Sequence, residues 1–152
     1  MNRQSTAASI PRPAFVLGVA GLIPFLVGAA GLWVGPVGWR SAVMHLLLAY
    51  GAVVLTFVGA VHWGLALRDA DADDAMLWRR LGASVVPALI GWWSFMLTPI
   101  GAFIIIALAF LAQYSVDRVA VQSGWAPVWY LNLRLGLTAV VTASLIVALV
   151  SL

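Results

Sequence analysis

Five apolar stretches occupy most of this 152-residue chain and constrain its fold more than any other feature. They cover residues 13–34, 41–67, 81–97, 100–115 and 127–152. A helix needs about 20 predominantly apolar residues to cross a bilayer, so the third and fourth stretches are short. Thr98 and Pro99 separate those two and predict a tight helical hairpin. The pattern predicts an all-α, polytopic membrane helix bundle with five transmembrane helices.

The composition supports a lipid environment. The chain is 64% hydrophobic and 9% charged, with a mean hydropathy of +1.06, whereas a soluble domain is about 45–50% apolar and about 25% charged. We therefore expect the lipid bilayer to be the main partner of a single transmembrane domain over residues 1–152, with a short cytoplasmic tail at residues 1–12. The first apolar stretch is long enough to span a membrane, which favours a retained helix over a cleaved signal peptide.

The arginines predict the orientation of the bundle. With five spans and the N-terminus in the cytoplasm, only Arg40 of the eight arginines lies outside. Such an excess inside is typical of the positive-inside rule. The basic residues are scattered among apolar runs and form no patch for a phosphate backbone, so we expect no nucleic-acid partner. The seven inner residues are Arg3, Arg12, Arg68, Arg79, Arg80, Arg118 and Arg134.

Glycines and prolines predict where helices approach one another and where they bend. The spacing of Gly18, Gly21, Gly28 and Gly31 in the first stretch allows close contact between helices, as does the pairing of Ala60 with Gly64 in the second. Pro24 and Pro87 remove a backbone donor and should bend the first and third helices.

The histidines do not predict a shared metal. His45 and His62 lie on the same predicted helix, and the residues between them separate the two by about 25 Å at 1.5 Å per residue. A separate haem or chlorin on either one stays open as an alternative. We expect instead an imidazole near the membrane surface, bonded to a neighbouring carbonyl or hydroxyl group. The chain has no cysteine, which excludes disulfides and thiolate sites.

The acidic loop at residues 69–74 also fails as a metal motif. An EF-hand loop starting at Asp69 needs Gly at its sixth position and Glu at its twelfth, where this chain has Asp74 and Arg80. We expect a solvated turn in which Asp73 or Asp74 caps the following helix. No cofactor and no metal is predicted.

Five polar residues are the candidate site. Gln113 and Asp117 are four residues apart and share one helix face. Arg134 lies about two turns inside the last helix, where an unpaired charge is costly, so we predict an ion pair between Asp117 and Arg134. The full set of candidates, as a structural cluster or a polar lining, is Tyr50, His62, Gln113, Asp117 and Arg134.

Several segments of the chain form a recognisable set. They are GLIPF at 21–25, YGA at 50–52 through GAVHWG at 59–64, SVVP at 84–87, LAQY at 111–114 with Asp117, and WY at 129–130 with LRL at 133–135. Taken together, these segments resemble small membrane proteins of unknown function, typified in eukaryotes by the mitochondrial transmembrane protein 69 family. This resemblance implies an integral protein of the bacterial inner membrane and brings no activity with it. It also implies that a polar side chain is required at His62, which weakens a role as haem ligand.

Two functional interpretations remain open. The favoured one is a non-enzymatic accessory or assembly subunit of a larger inner-membrane complex, respiratory or photosynthetic, with other membrane subunits as partners. The alternative is a small homo-oligomeric channel or carrier. No nucleophile and base share one depth, so we expect no enzyme. No charge lies near the middle of a predicted helix, which disfavours an ion-coupled transporter.

Overall fold

The computed structural model describes residues 9–68 and 73–152, which form six α-helices and one short 3₁₀ turn. All regular secondary structure in these ranges is helical, so the predicted all-α class is confirmed. The elements are α1 (Arg12–Ala20), α2 (Ile23–Val34), the 3₁₀ turn Val37–Trp39, α3 (Arg40–Leu67), α4 (Asp74–Ser94), α5 (Pro99–Gln122) and α6 (Val128–Val150).

Within residues 9–68 and 73–152, four helical segments are long and apolar enough to cross a membrane: Arg12–Val34, Val37–Leu67, Pro99–Gln122 and Val128–Val150. The chain is thus a multi-pass membrane protein, but the prediction of five transmembrane helices is wrong by this measure. The difference is α4. It begins at Asp74, seven residues before the predicted stretch, and its first two turns carry charged side chains that lower its hydropathy.

The first span is interrupted near Pro24, where the sequence predicts a bend. α1 ends at Ala20, and α2 begins at Ile23 after a turn. Pro24 has no N–H to donate to the carbonyl four residues earlier, so one backbone hydrogen bond is missing at this point. The hydroxyl of Tyr50 on α3 donates to the carbonyl of Gly21 at 3.0 Å, which supplies a partner inside the break. Pro87, by contrast, lies inside the unbroken α4.

α3 and α4 pack antiparallel along a seam of small residues. A Cβ added at Gly59 would lie 2.8 Å from the carbonyl oxygen of Ser84 and 2.9 Å from Cγ of Pro87. Two turns further along, a Cβ added at Gly91 would lie 3.2 Å from Cβ of Ala52. Such close backbone approach is the usual way in which helices associate in lipid.

The predicted glycine contacts are confirmed in the first span and not in the second. A Cβ at Gly28 would lie 3.0 Å from the side chain of Leu47, and one at Gly31 would lie 3.4 Å from Val43, so α2 packs closely on α3. A Cβ at Gly64 would meet no atom within 4 Å. The pairing of Ala60 with Gly64 is therefore not the contact face of α3.

The apolar core lies where α2, α3, α5 and α6 meet, and the outer surface of the bundle is also apolar. Large hydrophobic side chains such as Leu46 and Phe57 are about 70% exposed. Exposed apolar side chains on long apolar helices imply contact with lipid. The largest fully buried apolar side chains are Phe25, Leu32, Leu55, Phe103, Ile106, Phe110 and Leu145.

At the C-terminal end of α6, two side chains fasten the helix to its neighbours. The indole Nε1 of Trp33 donates to the carbonyl of Val147 at 2.9 Å. The guanidinium of Arg40 donates to the carbonyl of Ser151. A cation at a helix C-terminus meets carbonyl groups that have no partner within the helix. Arg40 therefore lies at the opposite end of α6 from Arg134.

Candidate functional site

Asp117 is the centre of the polar cluster and is fully buried on α5. Its Oδ1 lies 2.7 Å from Nε2 of His62 on α3. Its Oδ2 accepts a hydrogen bond from Nε of Arg134 on α6, also at 2.7 Å. The predicted ion pair between Asp117 and Arg134 is present in the structure. A single carboxylate thus joins three helices.

Tyr130 is a further member that the sequence prediction missed. Its hydroxyl donates to Oδ1 of Asp117 at 3.4 Å, a long bond. Tyr130 lies four residues before Arg134 and so occupies the same face of α6. That spacing is the sequence signal that could have identified it.

The turn between α5 and α6 brings the two charged residues together. Gly124 has a φ of 76°, a left-handed conformation that favours glycine. The N–H of Trp125 donates to the carbonyl of Ala120 at 2.9 Å, which closes the end of α5 in the manner of a Schellman motif. α6 then returns alongside α5, so that Arg134 faces Asp117.

The other candidates fall in two places. Gln113 is buried one turn before Asp117, on the same helix face. Tyr50 lies elsewhere: its hydroxyl binds the carbonyl of Gly21, and it precedes His62 by about 18 Å along α3. Tyr50 therefore belongs to the break in the first span and not to the cluster around Asp117.

The two histidines have different partners. Nδ1 of His45 lies 2.7 Å from the carbonyl of Ser41, the kind of bond that the sequence predicts. For His62 that prediction is wrong, because its partner is the carboxylate of Asp117. An ionised carboxylate only accepts hydrogen bonds, so Nε2 of His62 carries the proton in this contact.

Asp73 is the N-cap of α4, as one of the two predicted alternatives has it. Its side chain accepts a hydrogen bond from the N–H of Met76 at 2.7 Å and so caps the helix. In residues 9–68 and 73–152, no group of three or more His, Cys, Asp or Glu side chains could hold a metal ion.

A buried polar stripe runs from the cluster along α6. Nη2 of Arg134 and the hydroxyls of Thr138 and Thr142 are buried without a hydrogen-bond partner among the described residues. Their spacing of four residues places them in one row on the helix. Further along this row, Leu145 and Ala148 are buried and apolar. The stripe therefore ends inside the apolar core.

Comparison with known proteins identifies a family whose activity is unknown. The family described as "Protein of unknown function (DUF3429)" matches residues 10–150. Transmembrane protein 69 of Xenopus tropicalis is 33% identical over 146 residues, covering 93% of this chain and 55% of that protein. Transmembrane protein 69 of Mus musculus is 26% identical over 140 residues, covering 92% and 56%. The chain spans about half the length of these relatives. No solved structure matches it.

Proposed function

The chain belongs to the DUF3429 family and is a multi-pass membrane protein; we propose that it serves as a non-enzymatic accessory or assembly subunit of a larger complex in the bacterial inner membrane. The observation that carries this proposal is the poor burial of the first span. Only 17% of its apolar window is buried within the chain, against 33–39% for the other three spans. A helix so little covered by its own bundle has most of its surface left for lipid or for another protein.

An open groove beside the first span offers a place for that protein. It lies between α2 and α3, has a volume of about 400 Å³, and is lined almost entirely by apolar atoms. Gly28, Gly31 and Gly35 form part of its wall. In a bilayer, apolar surface alone does not favour protein over lipid, whereas small residues permit the close packing that holds helices together. The occupant that we propose is therefore a transmembrane helix of a partner subunit.

The distribution of arginine supports a cytoplasmic N-terminus for this subunit. Arg68 and Arg80 line one cleft together with Trp125 of the turn between α5 and α6, so these segments share one end of the bundle. Arg40 lies at the other end, beside Ser151. Under the positive-inside rule the end richer in arginine faces the cytoplasm.

A homo-oligomeric channel or carrier is the second candidate, and the buried stripe on α6 favours it. Arg134, Thr138 and Thr142 offer polar atoms that have no partner in the part of the chain that the structure describes. A conducting path must, however, reach both faces of the membrane, and this stripe ends against Leu145 and Ala148. The carboxylate of Asp117 is also fully occupied by bonds within the chain. For these reasons the subunit is the stronger proposal.

Site-specific photo-crosslinking in native membranes tests it. A photoreactive residue replaces Val27, which lines the groove and is 64% exposed. The matched control is Leu108 on α5, which is 54% exposed and lies outside the groove. We expect one defined foreign membrane protein to be captured at Val27 and not at Leu108.

A second variant separates specific docking from random capture. Leu46→Trp enlarges a groove side chain that is 71% exposed and should abolish the adduct, whereas Phe57→Trp, 70% exposed on the same helix and outside the groove, should leave it unchanged. Capture of a second copy of this chain alone would contradict the subunit proposal and support the channel. Equal capture from both positions would show that the groove is an ordinary lipid-facing surface.

A further inference from the structure

Three clefts meet at one end of the bundle and share the same two side chains. Their volumes are about 220, 140 and 330 Å³, and Arg80 and Trp125 line all three. Cζ of Arg80 lies 3.7 Å from the centre of the Trp125 ring, a cation–π contact. This stacking fixes the guanidinium of Arg80 against the turn between α5 and α6.

Further positive side chains surround this stack. Arg68, at the end of α3, lines the first cleft, and Arg79 lines the other two. His62 forms part of the inner wall of the second cleft. We call Arg68, Arg79 and Arg80 the arginine rim. It draws on two helices and faces the turn that begins α6.

The rim lies at the depth of the lipid headgroups. One candidate span ends at Leu67, another ends at Gln122, and a third begins at Val128, and the clefts open among these three ends. Trp125 is 40% exposed there. A partly exposed indole beside span ends is typical of the interface between membrane and water.

The acidic groups near the rim are few among the described residues. Asp73 lines the third cleft, but one of its carboxylate oxygens already caps α4 through the N–H of Met76. Asp74 lies in the first turn of α4. Asp69 and Asp71 lie outside the described residues. Of the described acids, Asp73 is the one that lines a cleft and would compete with an anion there.

We propose that the arginine rim binds the phosphate of an anionic phospholipid headgroup. The planar fork of a guanidinium matches two phosphate oxygens at once, which an ammonium group does not. Basic pockets between membrane helices on the cytoplasmic side are suited to such headgroups. A membrane lipid is the proposed source of the phosphate, because its acyl chains lie along the same helices whose ends form the clefts.

Native mass spectrometry of the detergent-purified full chain tests this proposal, with phosphatidylglycerol and phosphatidylcholine added in turn. We expect retention of phosphatidylglycerol over phosphatidylcholine, and a loss of about fivefold in that preference for Arg79→Gln, since a basic residue near the membrane surface contributes about that factor. Arg118→Gln is the matched control, because Arg118 is also exposed and lines none of the three clefts. It should keep the wild-type preference.

Two further measurements test the charge around the rim and the source of the phosphate. Asp73→Asn should strengthen the retention of phosphatidylglycerol, because the acid that lines the third cleft loses its charge while Asn can still cap α4. Inorganic phosphate at equal concentration should not displace the lipid.

Equal retention of the two lipids, or an equal effect of Arg79→Gln and Arg118→Gln, would overturn the proposal. Displacement by inorganic phosphate would assign the rim to a free anion. Unchanged thermal unfolding of both Arg→Gln variants shows that folding is not the cause.

Discussion

Arg134 and Asp117 form an ion pair in which neither side chain is more than 7% exposed, with Nε and Oδ2 at 2.7 Å. Burial removes both charges from water, so the pair depends on its own geometry and on the further bonds to Asp117. His62 and Tyr130 supply those bonds. The carboxylate of Asp117 therefore connects α3, α5 and α6, and we expect the stability of the bundle to depend on it.

Replacing Arg134 with Leu should destabilise the bundle by about 3–5 kcal/mol, because the charge of Asp117 would stay buried without its counter-ion. Unfolding of the detergent-solubilised protein, followed by tryptophan fluorescence, measures the change. Arg118→Leu removes an exposed arginine next to the same aspartate in sequence and should have little effect. A normal melting temperature for Arg134→Leu would show that the pair does not hold the helices together.

The two histidines should differ in their importance. His62→Phe removes a hydrogen bond to a buried carboxylate, and the expected loss is about 1.5–3 kcal/mol. His45→Phe removes only a local bond to the carbonyl of Ser41 at an exposed position, where substitutions usually change stability by less than about 0.5 kcal/mol. The same unfolding assay measures both variants. Similar losses in the two would contradict the assignment of His62 to the cluster.

The seam between α3 and α4 should not tolerate even one methyl group at Gly59. A Cβ there would lie 2.8 Å from a backbone carbonyl that cannot rotate away, so Gly59→Ala should cost about 1–3 kcal/mol through overpacking. Gly64→Ala, five residues later on the same helix, meets no atom within 4 Å and should be neutral or slightly stabilising. Equal unfolding midpoints for the two variants would argue against the packing of this seam.

Much of the fold could be predicted from the sequence because hydrophobicity dominates it. The apolar stretches locate the helices, and Arg134 identifies its partner because a buried arginine requires one. The failures arise where tertiary contacts decide. Ser84, Pro87 and Gly91 of α4 pack on α3, which a count of apolar residues cannot show. The hydroxyl of Tyr50 binds the carbonyl of Gly21 and not Asp117, because the packing of α2 on α3 places Gly21 beside it. The sequence alone does not show that packing.

The absence of cysteine makes the orientation directly measurable. Ser123 lies at the end of α5, and Gly38 lies after the first span, where an added Cβ would meet no atom of the described residues within 4 Å. Each position is changed to Cys in a separate variant. With the N-terminus in the cytoplasm, a membrane-impermeant thiol reagent added to intact cells should label Gly38→Cys and leave Ser123→Cys unlabelled. Inverted membrane vesicles should give the reverse pattern. The opposite result in both preparations would invert the proposed orientation.

The measurement that tests the central claim most directly is native mass spectrometry of the protein after gentle extraction from its own membranes. The account predicts that the chain leaves the membrane with at least one foreign membrane subunit at fixed stoichiometry. It also predicts that Leu46→Trp, which enlarges an exposed side chain in the groove between α2 and α3, releases that subunit, whereas Phe57→Trp, outside the groove, retains it. A chain that is extracted alone, or only as a homo-oligomer, would contradict the proposal that it serves as a subunit of a larger complex.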